Sequence, residues 1–584
     1  MTGLAPGSRR LLSLAGAVLA LAAFQSAGNA YYRGFRTLQG SGMTHLLPDE
    51  LAFLALFTFF GLAAWAAFAY ALTGTSVVES VASLARAAAG RPGWCAVAAG
   101  ALTTLACVWI GRQVLGGAVV TDDEHVYRFI AQTLRTGAVV APSPGADLAF
   151  YFEQFVVITE NARYGKYPLG HPLVLALAQQ VGLERLAMPV VTGLIAWPLA
   201  TIGLRLLGPA RTALALALFA TSPQVLFTGA TYLSQPTSAL CLAGGCALLL
   251  AGEDGGRRGA LRCLGAGALL GFGMFVRPLP GVLFAAAAAG YLFFRHRAAA
   301  LRDGRLPALV LPMALASGGL LLVNHLQAGS ALTSAYQTAH GLSEGGAGVA
   351  QLLTSLDLPN GSMSIASNVI RLDAWLFGWP LSLLFVPFAR RRGPQALCWA
   401  MLAAALAYRL VSPKAGVGTT GPQYLFEVVP LLCLLTADGL AGLPGRARSL
   451  APVLVLGGLC VSLTMFLPSR LADLSLAGRA QNAVWDRIRQ QGVTRALVFH
   501  DGVVPAHTGL SWAYFPRCNG PRLDDDILFV RMMRTAGDLR VNEAFWRQRH
   551  PDRTAWYFEW EPGGSGPRLV ELGSYLARPP GPSR

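Results

Sequence analysis

Residues 212–252 decide the fold, and their sequence is TALALALFATSPQVLFTGATYLSQPTSALCLAGGCALLLAG. This run contains no charged residue, and it is about twice as long as the roughly 20 residues that one membrane-spanning helix needs. Thr221-Ser222-Pro223-Gln224 interrupts it with residues that favour turns. We therefore predict two membrane spans here, divided at this segment or slightly after it.

The rest of the chain has the same apolar character. Of its 584 residues, 54% are hydrophobic and 13% are charged, whereas soluble domains carry about 25% charged residues. The mean hydropathy is +0.47. This composition excludes a disordered chain and indicates an integral membrane protein with many helices. Thirteen segments are predicted to span the membrane: 11–30, 51–73, 93–111, 185–207, 210–229, 232–252, 259–277, 278–295, 306–326, 373–389, 394–411, 423–443 and 449–468.

The net charge of +16 is explained by membrane topology. The basic residues are scattered between apolar runs, with no basic stripe and no nucleic-acid motif, so we predict no nucleic-acid partner. With the N-terminus in the cytoplasm, the cytoplasmic segments hold 18 Lys and Arg residues and the short outer loops hold six. Cytoplasmic loops are normally the richer in Lys and Arg. This threading places the C-terminus outside.

Two further features concern the chain ends and the cysteines. Residues 1–30 also fit a signal peptide, with Arg9-Arg10 before an apolar stretch and small residues up to Ala30. Its cleavage would remove only the first span. The nine cysteines show no metal-ligand spacing. We interpret them as packing residues without a disulfide framework.

The predicted fold class is an all-α polytopic membrane protein of about 13 transmembrane helices with a small C-terminal α/β domain. The transmembrane domain covers residues 1–468, with long outer loops at 112–184 and 327–372, and the C-terminal domain covers 469–584. That tail combines a helical pattern with short apolar runs of strand type. The helix is predicted at 480–491 and the strands at 496–499, 527–530 and 556–558.

The first outer loop contains Thr121-Asp122-Asp123-Glu124-His125, followed by apolar residues at helical spacing. Thr121 and Glu124 form a capping-box pattern, and acidic residues favour helix N-termini. One of these carboxylates is also a candidate general base for a hydroxyl acceptor. Three consecutive carboxylates, Asp122, Asp123 and Glu124, further suggest a site for Mg²⁺ or Mn²⁺. The spacing alone leaves these interpretations open.

A second polar segment, Tyr164-Gly165-Lys166-Tyr167-Pro168-Leu169-Gly170-His171-Pro172, lies late in the same loop. Lys166 can neutralise a phosphate as a point charge, or it can snorkel at the membrane interface. His171, beside a proline, is interpreted as structural. The apolar run 173–182 is too short to span and is predicted to be interfacial or re-entrant.

These segments resemble, in order, the motifs of polyprenol-dependent C-type (GT-C) glycosyltransferases, which include bacterial relatives of protein O-mannosyltransferases and lipid A aminoarabinose transferases. Asp123-Glu124-His125 resembles the Asp-Glu motif that opens their first periplasmic loop. Lys166-Tyr167-Pro168-Leu169 resembles their Lys-Pro-Pro-Leu segment, with Tyr167 replacing the first proline. Residues 324–336 and 375–380 are similar to later family segments, and Gly421-Pro422-Gln423-Tyr424 resembles a Gly-Pro-Arg-Tyr motif in which Gln423 replaces the arginine. The resemblance covers roughly residues 93–445, and two predicted spans precede the usual first span of the family.

The resemblance implies an inverting glycosyltransferase that moves a sugar from a polyprenyl phosphate to a hydroxyl of a lipid, glycan or protein. The reaction would take place at the periplasmic face of a bacterial inner membrane. Asp123 is then the expected base, Glu124 orients the acceptor or helps to hold a cation, and Lys166 stabilises phosphate charge. Arg277, Gln423 and Tyr424 are further candidates for donor binding. Additional candidates are Asp122, Tyr336 and His340.

Three other functions compete with this one. A transporter or flippase of lipid-linked glycans predicts charged residues within spans and an inverted repeat; the sequence shows few such charges and no repeat. An O-antigen ligase-type enzyme shares the lipid-linked donor, but such enzymes usually rely on arginines in their outer loop. A non-catalytic membrane scaffold is the third alternative, because motif resemblance does not establish activity.

Overall fold

The computed structural model describes residues 6–37, 46, 48–339, 357–412, 417–418, 420–501, 518–534, 539–560 and 567–577. The chain divides into two compact units. The membrane unit comprises Met1–Val114, Arg185–Leu320 and Gly348–Leu474. The loop unit comprises Leu115–Glu184, Leu321–Ala347 and Ser475–Arg584.

Helices dominate the described chain. In chain order they are α1 (Pro6–Thr37), α2 (Pro48–Leu72), α3 (Ser76–Ala89), α4 (Pro92–Trp109), α5 (Asp122–Arg135), α6 (Gly170–Gln180), α7 (Glu184–Leu194), α8 (Ala196–Leu206), α9 (Pro209–Thr221), α10 (Pro223–Gly229), α11 (Gln235–Gly252), α12 (Gly256–Val276), α13 (Pro278–His296), α14 (Ala298–Arg302), α15 (Arg305–Ala328), α16 (Ala335–Ala339), α17 (Leu358–Trp375), α18 (Ala396–Val411), α19 (Val429–Gly442), α20 (Ala451–Val461), α21 (Leu467–Gln490), α22 (Arg540–Arg549) and α23 (Leu572–Leu576).

The strands are short. They are β1 (Ala141–Pro142), β2 (Val156–Ile158), β3 (Ala162–Gly165), β4 (Val417–Gly418), β5 (Gly421–Pro422), β6 (Ala496–His500), β7 (Ile527–Arg531), β8 (Thr554–Trp560) and β9 (Pro567–Glu571).

Among the described residues, 11 helical segments are long and apolar enough to cross a membrane, or 12 if the bent pair α9 and α10 forms one span. The predicted polytopic helical fold is therefore confirmed, and the chain is a multi-pass membrane protein. The bend of 53° falls at Ser222, where the predicted turn residues lie. The Ser222 hydroxyl accepts a hydrogen bond from the amide of Val225, and Pro223 begins α10 without needing a backbone donor.

The predicted helical span over 373–389 is wrong. After α17, the chain continues through turns and a short 3₁₀ helix at Val386–Phe388. Gly378 and Leu381 have positive φ angles of 70° and 56°, which an α-helix does not accept. The apolar composition of this stretch matches a span, but its backbone does not.

Side chains form hydrogen bonds with backbone groups of this irregular stretch, residues 376–389. The amide of Leu383 donates to Asp373 Oδ1 at 2.9 Å, and the Ser222 hydroxyl donates to the carbonyl of Leu376. Trp379 is 2% exposed and stacks on Trp65 of α2 at 5.8 Å between ring centroids. Non-helical backbone at membrane depth is tolerated where it is buried in protein, and this stretch meets that requirement.

The last apolar helix continues well beyond a membrane thickness. Residues 447–490 form one helical stretch of 44 residues, with a π-helical turn at Ser462–Phe466 between α20 and α21. At 1.5 Å per residue this stretch rises about 66 Å, against roughly 30 Å for the hydrocarbon core. The helix predicted at 480–491 is the end of this stretch.

The loop unit contains a four-stranded sheet with the order β7-β6-β8-β9. Strands β7 and β8 flank β6 in parallel, and β9 pairs antiparallel with β8. All three predicted strands are present. Val484 and Ile488 of α21 pack on one face with Val498, and Phe545 of α22 packs on the other. The C-terminal segment therefore forms the small α/β fold that its sequence predicts.

Candidate functional site

Helix α5 begins with the predicted capping box. Glu124 Oε1 accepts hydrogen bonds from the amides of Val120 and Thr121, at 2.9 and 3.0 Å. The Glu124 side chain is fully buried. The capping interpretation therefore describes Glu124, whose carboxylate turns back to the amides at the start of its own helix.

The two aspartates next to it differ in accessibility. Asp122 is 7% exposed, and its Oδ1 is buried without a hydrogen-bond partner. Burial and the neighbouring charge of Asp123 raise the pKa of Asp122 well above its usual range, although the nearby Lys166 ammonium opposes the shift. Asp123 is half-buried, and its Oδ1 accepts a hydrogen bond from the Tyr167 hydroxyl. Of the three carboxylates, Asp123 is the one that an outside molecule can reach.

Lys166 lies in an aromatic pocket. It is 5% exposed, and its Nζ lies 4.9 Å from the ring centroid of Tyr167 and 5.2 Å from that of Tyr336. The ring of Phe155 is closer still, at 2.9 Å. Lys166 is therefore buried among aromatic faces, which a snorkelling lysine would not be. The structure brings together Asp122, Asp123, Lys166 and Tyr336, four of the residues predicted for the site.

Close packing of β3 against α5 positions this group. Strand β3 is the middle strand of a small antiparallel sheet, where it pairs with β1 and β2. A Cβ on Gly165 would lie 2.6 Å from side-chain carbons of Val126 and Ile130 on α5. Only glycine permits this approach. Because Lys166 and Tyr167 follow Gly165 directly, the approach brings them to the beginning of α5.

His171 is a packing residue next to the site. It is fully buried, and its ring meets Tyr127 edge to face at 4.7 Å between centroids. Tyr127 in turn contacts Tyr167 at 4.6 Å. This position agrees with the structural interpretation of His171.

A second polar cluster lies in the membrane unit. Arg277 Nη1 lies 2.8 Å from Glu427 Oε1, and the two side chains are 10% and 2% exposed. The guanidinium of Arg277 also lies 5.2 Å from the ring centroid of Tyr424, and the guanidinium of Arg409 lies 4.4 Å from the same centroid. Gln423 is 7% exposed and donates to the Thr420 hydroxyl at 3.3 Å. The structure thus brings together the predicted residues Arg277 and Tyr424, and Gln423 begins the same segment.

Arg409 and Glu427 were not among the predicted site residues. Both are charged residues within predicted spans, 394–411 and 423–443. Charged residues inside spans are costly and are commonly functional or paired, so the signal was available.

The predicted cation site is not formed by the residues proposed for it. Among the residues that the structure describes, no group of three or more His, Cys, Asp or Glu side chains could hold a metal ion. Glu124 is committed to the helix cap, so the three consecutive carboxylates do not converge. His340, the remaining predicted residue, lies outside the described part of the chain.

Comparisons with known proteins give a match at the level of structure. No family model matches the chain, and no curated protein matches its sequence. The crystal structure of ArnT from Cupriavidus metallidurans bound to undecaprenyl phosphate matches with a TM-score of 0.51 and 14% identity, over 84% of this chain and 100% of that chain. The apo structure of the same protein gives 0.50 and 14%, over 82% and 99%. The chain therefore has the fold of ArnT, and the predicted GT-C fold is confirmed.

Proposed function

We propose that this protein is a glycosyltransferase that moves a sugar from a polyprenyl phosphate to an acceptor hydroxyl, with inversion at the anomeric carbon. The acceptor is a lipid, a glycan or a protein. We place the reaction at the periplasmic face of a bacterial inner membrane. The fold supports the use of a lipid donor, because ArnT has the same fold and was crystallised with undecaprenyl phosphate.

One observation carries the proposal: a reachable carboxylate and a buried cation are held together at the start of α5. Asp123 is half-buried and Lys166 is 5% exposed. Glycosyl transfer from a phosphate needs both groups, a base for the incoming hydroxyl and positive charge for the departing phosphate. Lys166 acts there as a point charge in a site that water reaches poorly.

The step balances as a single displacement. The acceptor oxygen forms a bond to the anomeric carbon while the bond from that carbon to the phosphate oxygen breaks. The acceptor proton passes to the Asp123 carboxylate, and the electron pair of the broken bond leaves with the polyprenyl phosphate. Attack from the side opposite the leaving group inverts the configuration. Within the membrane unit, Arg277, Gln423 and Tyr424 remain our candidates for donor binding.

The test is sugar transfer in membranes supplied with radiolabelled polyprenyl-phosphate sugars. Asp123→Asn removes the base and keeps the shape of the side chain, so we expect transfer to fall by about 10²- to 10⁴-fold. Asp147→Asn is the matched control, because Asp147 lies in the same loop and pairs with Arg549 at 3.0 Å. We expect this control to keep wild-type activity.

Two outcomes would count against the proposal. Equal transfer by wild type and Asp123→Asn would remove Asp123 from the reaction and direct attention to Asp122. If the wild-type protein transfers none of the sugars in a pool of defined donors, the transferase assignment itself fails.

A further inference from the structure

Tyr167 departs from the segment that this chain otherwise resembles, and its hydroxyl contacts the candidate base. The Tyr167 hydroxyl donates a hydrogen bond to Asp123 Oδ1. The residues lie 44 positions apart in the chain, both in the loop unit, with Asp123 on α5 and Tyr167 in the connection between β3 and α6. A proline at position 167 could not make this contact, because proline has no hydroxyl.

The tyrosine is fixed from two directions. Its ring lies 4.6 Å from that of Tyr127, at an interplanar angle of 43°. Tyr127 and Asp123 are four residues apart on α5 and therefore share one face of that helix. Pro168 follows Tyr167 and restricts the backbone of the residue before it. The hydroxyl is thus carried by a ring that packs on the face from which Asp123 projects.

We propose that Tyr167 is the positioning residue of Asp123, a role that rests on the function proposed above. An aspartate carboxylate rotates broadly about its last torsion. A hydrogen bond to Oδ1 fixes that rotation and directs the other oxygen, Oδ2, to the acceptor hydroxyl.

Lys166 and Tyr167 are positioned together by the same short segment. They are adjacent in sequence, and the Lys166 ammonium lies 4.9 Å from the Tyr167 ring. The same short segment therefore places the cation for the leaving phosphate and orients the base for the incoming hydroxyl. Orientation of reacting groups contributes to rate without adding to substrate affinity when it acts only in the transition state.

Tyr167→Phe tests the role because it removes only the hydroxyl. We expect kcat to fall about ten- to a hundredfold, the effect of losing one hydrogen bond to a charged group. KM for the lipid donor should change by less than about twofold, because the bond contributes to the transition state and not to donor binding. Tyr164→Phe is the control. Tyr164 is 4% exposed, and its hydroxyl bonds to Thr338 and not to Asp123.

A double-mutant cycle on thermal stability gives a readout that needs no activity. In the full chain in detergent, Tyr167→Phe should lower the melting temperature when Asp123 is present, and should have little further effect in an Asp123→Ala background. Tyr164→Phe should lower it equally in both backgrounds. Additive effects of Tyr167→Phe and Asp123→Ala would overturn the contact.

The kinetic measurements test whether Tyr167 has the proposed positioning role in catalysis. Retention of wild-type kcat by Tyr167→Phe, or an equal loss in Tyr164→Phe, would overturn the positioning role. If the wild-type protein transfers no sugar, the function proposed above fails and the catalytic part of this role fails with it. A non-additive cycle in that case would still support the contact.

Discussion

At the scale of single residues, three consecutive carboxylates of α5 have three different environments. Glu124 caps the helix, Asp122 is buried, and Asp123 is reachable and bonded to Tyr167. Consecutive residues on a helix point about 100° apart, so adjacent acids in a motif cannot all face one substrate. The sequence predicts the segment and its cap. The distinction between Asp122 and Asp123 depends on Lys166 and Tyr167, which are distant in the chain.

His500 gives a prediction for acid sensitivity. It ends β6 and is 4% exposed, and burial lowers its pKa to about 4 despite the opposing charge of Asp501; Arg531 reinforces the shift. An unfolded histidine has a pKa near 6.5. Between these values the unfolded chain binds a proton that the folded chain does not, so stability falls as pH falls. We expect a loss of roughly 3 kcal/mol from this group between pH 6.5 and 4.

Amide hydrogen exchange of β6 and β7 in the full chain measures this effect, because exchange reports the stability of local structure. Protection factors corrected for intrinsic rates should decline toward pH 4.5 in the wild-type protein and decline much less in His500→Gln. His550 is half-buried and also has a lowered pKa because of burial, so His550→Gln should remove less of the decline. An identical decline in His500→Gln and wild type would contradict the prediction.

At the scale of elements, the contact between β3 and α5 is the support of the site. Gly165→Ala would place a Cβ 2.6 Å from carbons of Val126 and Ile130, which are buried and cannot move away freely. Overpacking of this kind costs about 1–3 kcal/mol. We expect a lower melting temperature and a fall in transfer of more than tenfold, because Lys166 and Tyr167 move with the strand.

Gly573→Ala is the matched control for that measurement. Gly573 also lies in the loop unit, and apart from its chain neighbours and the backbone of its own helix, no atom lies within 4 Å of the position that a Cβ would take there. Its substitution should leave both melting temperature and transfer close to wild type. Normal transfer by Gly165→Ala would show that the approach of β3 to α5 is not needed for the site.

Some elements could be predicted from sequence and others could not, for a physical reason. The capping box and the apolar spacing of α5 are local signals, and α5 begins where they place it. The stretch after α17 has the composition of a span, but Ser222 and Asp373 hold its turns by hydrogen bonds. These hydrogen bonds cannot be inferred from composition. The pairing of Arg277 with Glu427 is hidden in the same way, because the partners lie 150 positions apart.

At the scale of the molecule, the C-terminal segment and the first outer loop form one folded unit. Glu153 is 7% exposed and accepts a hydrogen bond from the amide of Asn519, and Arg163, which is fully buried, donates to the carbonyl of Gly520. Tyr151 belongs to the same apolar cluster as Phe545. The C-terminal segment therefore packs against the first of the two long loops.

The irregular stretch after α17 bears on how the chain is threaded. Just before this stretch, Arg371 of α17 pairs with Glu50 at the beginning of α2, with a distance of 2.6 Å. Farther on, Trp379 stacks on Trp65, about four turns along α2. At its end, Arg390 pairs with Asp438 in the last part of α19. The stretch therefore follows α2 lengthwise, which is the path of a crossing made without a regular helix.

We therefore predict 13 crossings although 12 spans at most are helical among the described residues. An odd number places the two ends of the chain on opposite sides, and the excess of Lys and Arg in the predicted cytoplasmic loops places the N-terminus inside. Alkaline phosphatase, which is active only outside the cytoplasm, should be active when fused after residue 490 and inactive when fused after Arg297. Activity at neither position would mean that residues 376–389 turn back. That threading would place Asp123 and the C-terminal sheet on opposite sides of the membrane. It would therefore contradict the structure, in which both belong to the loop unit.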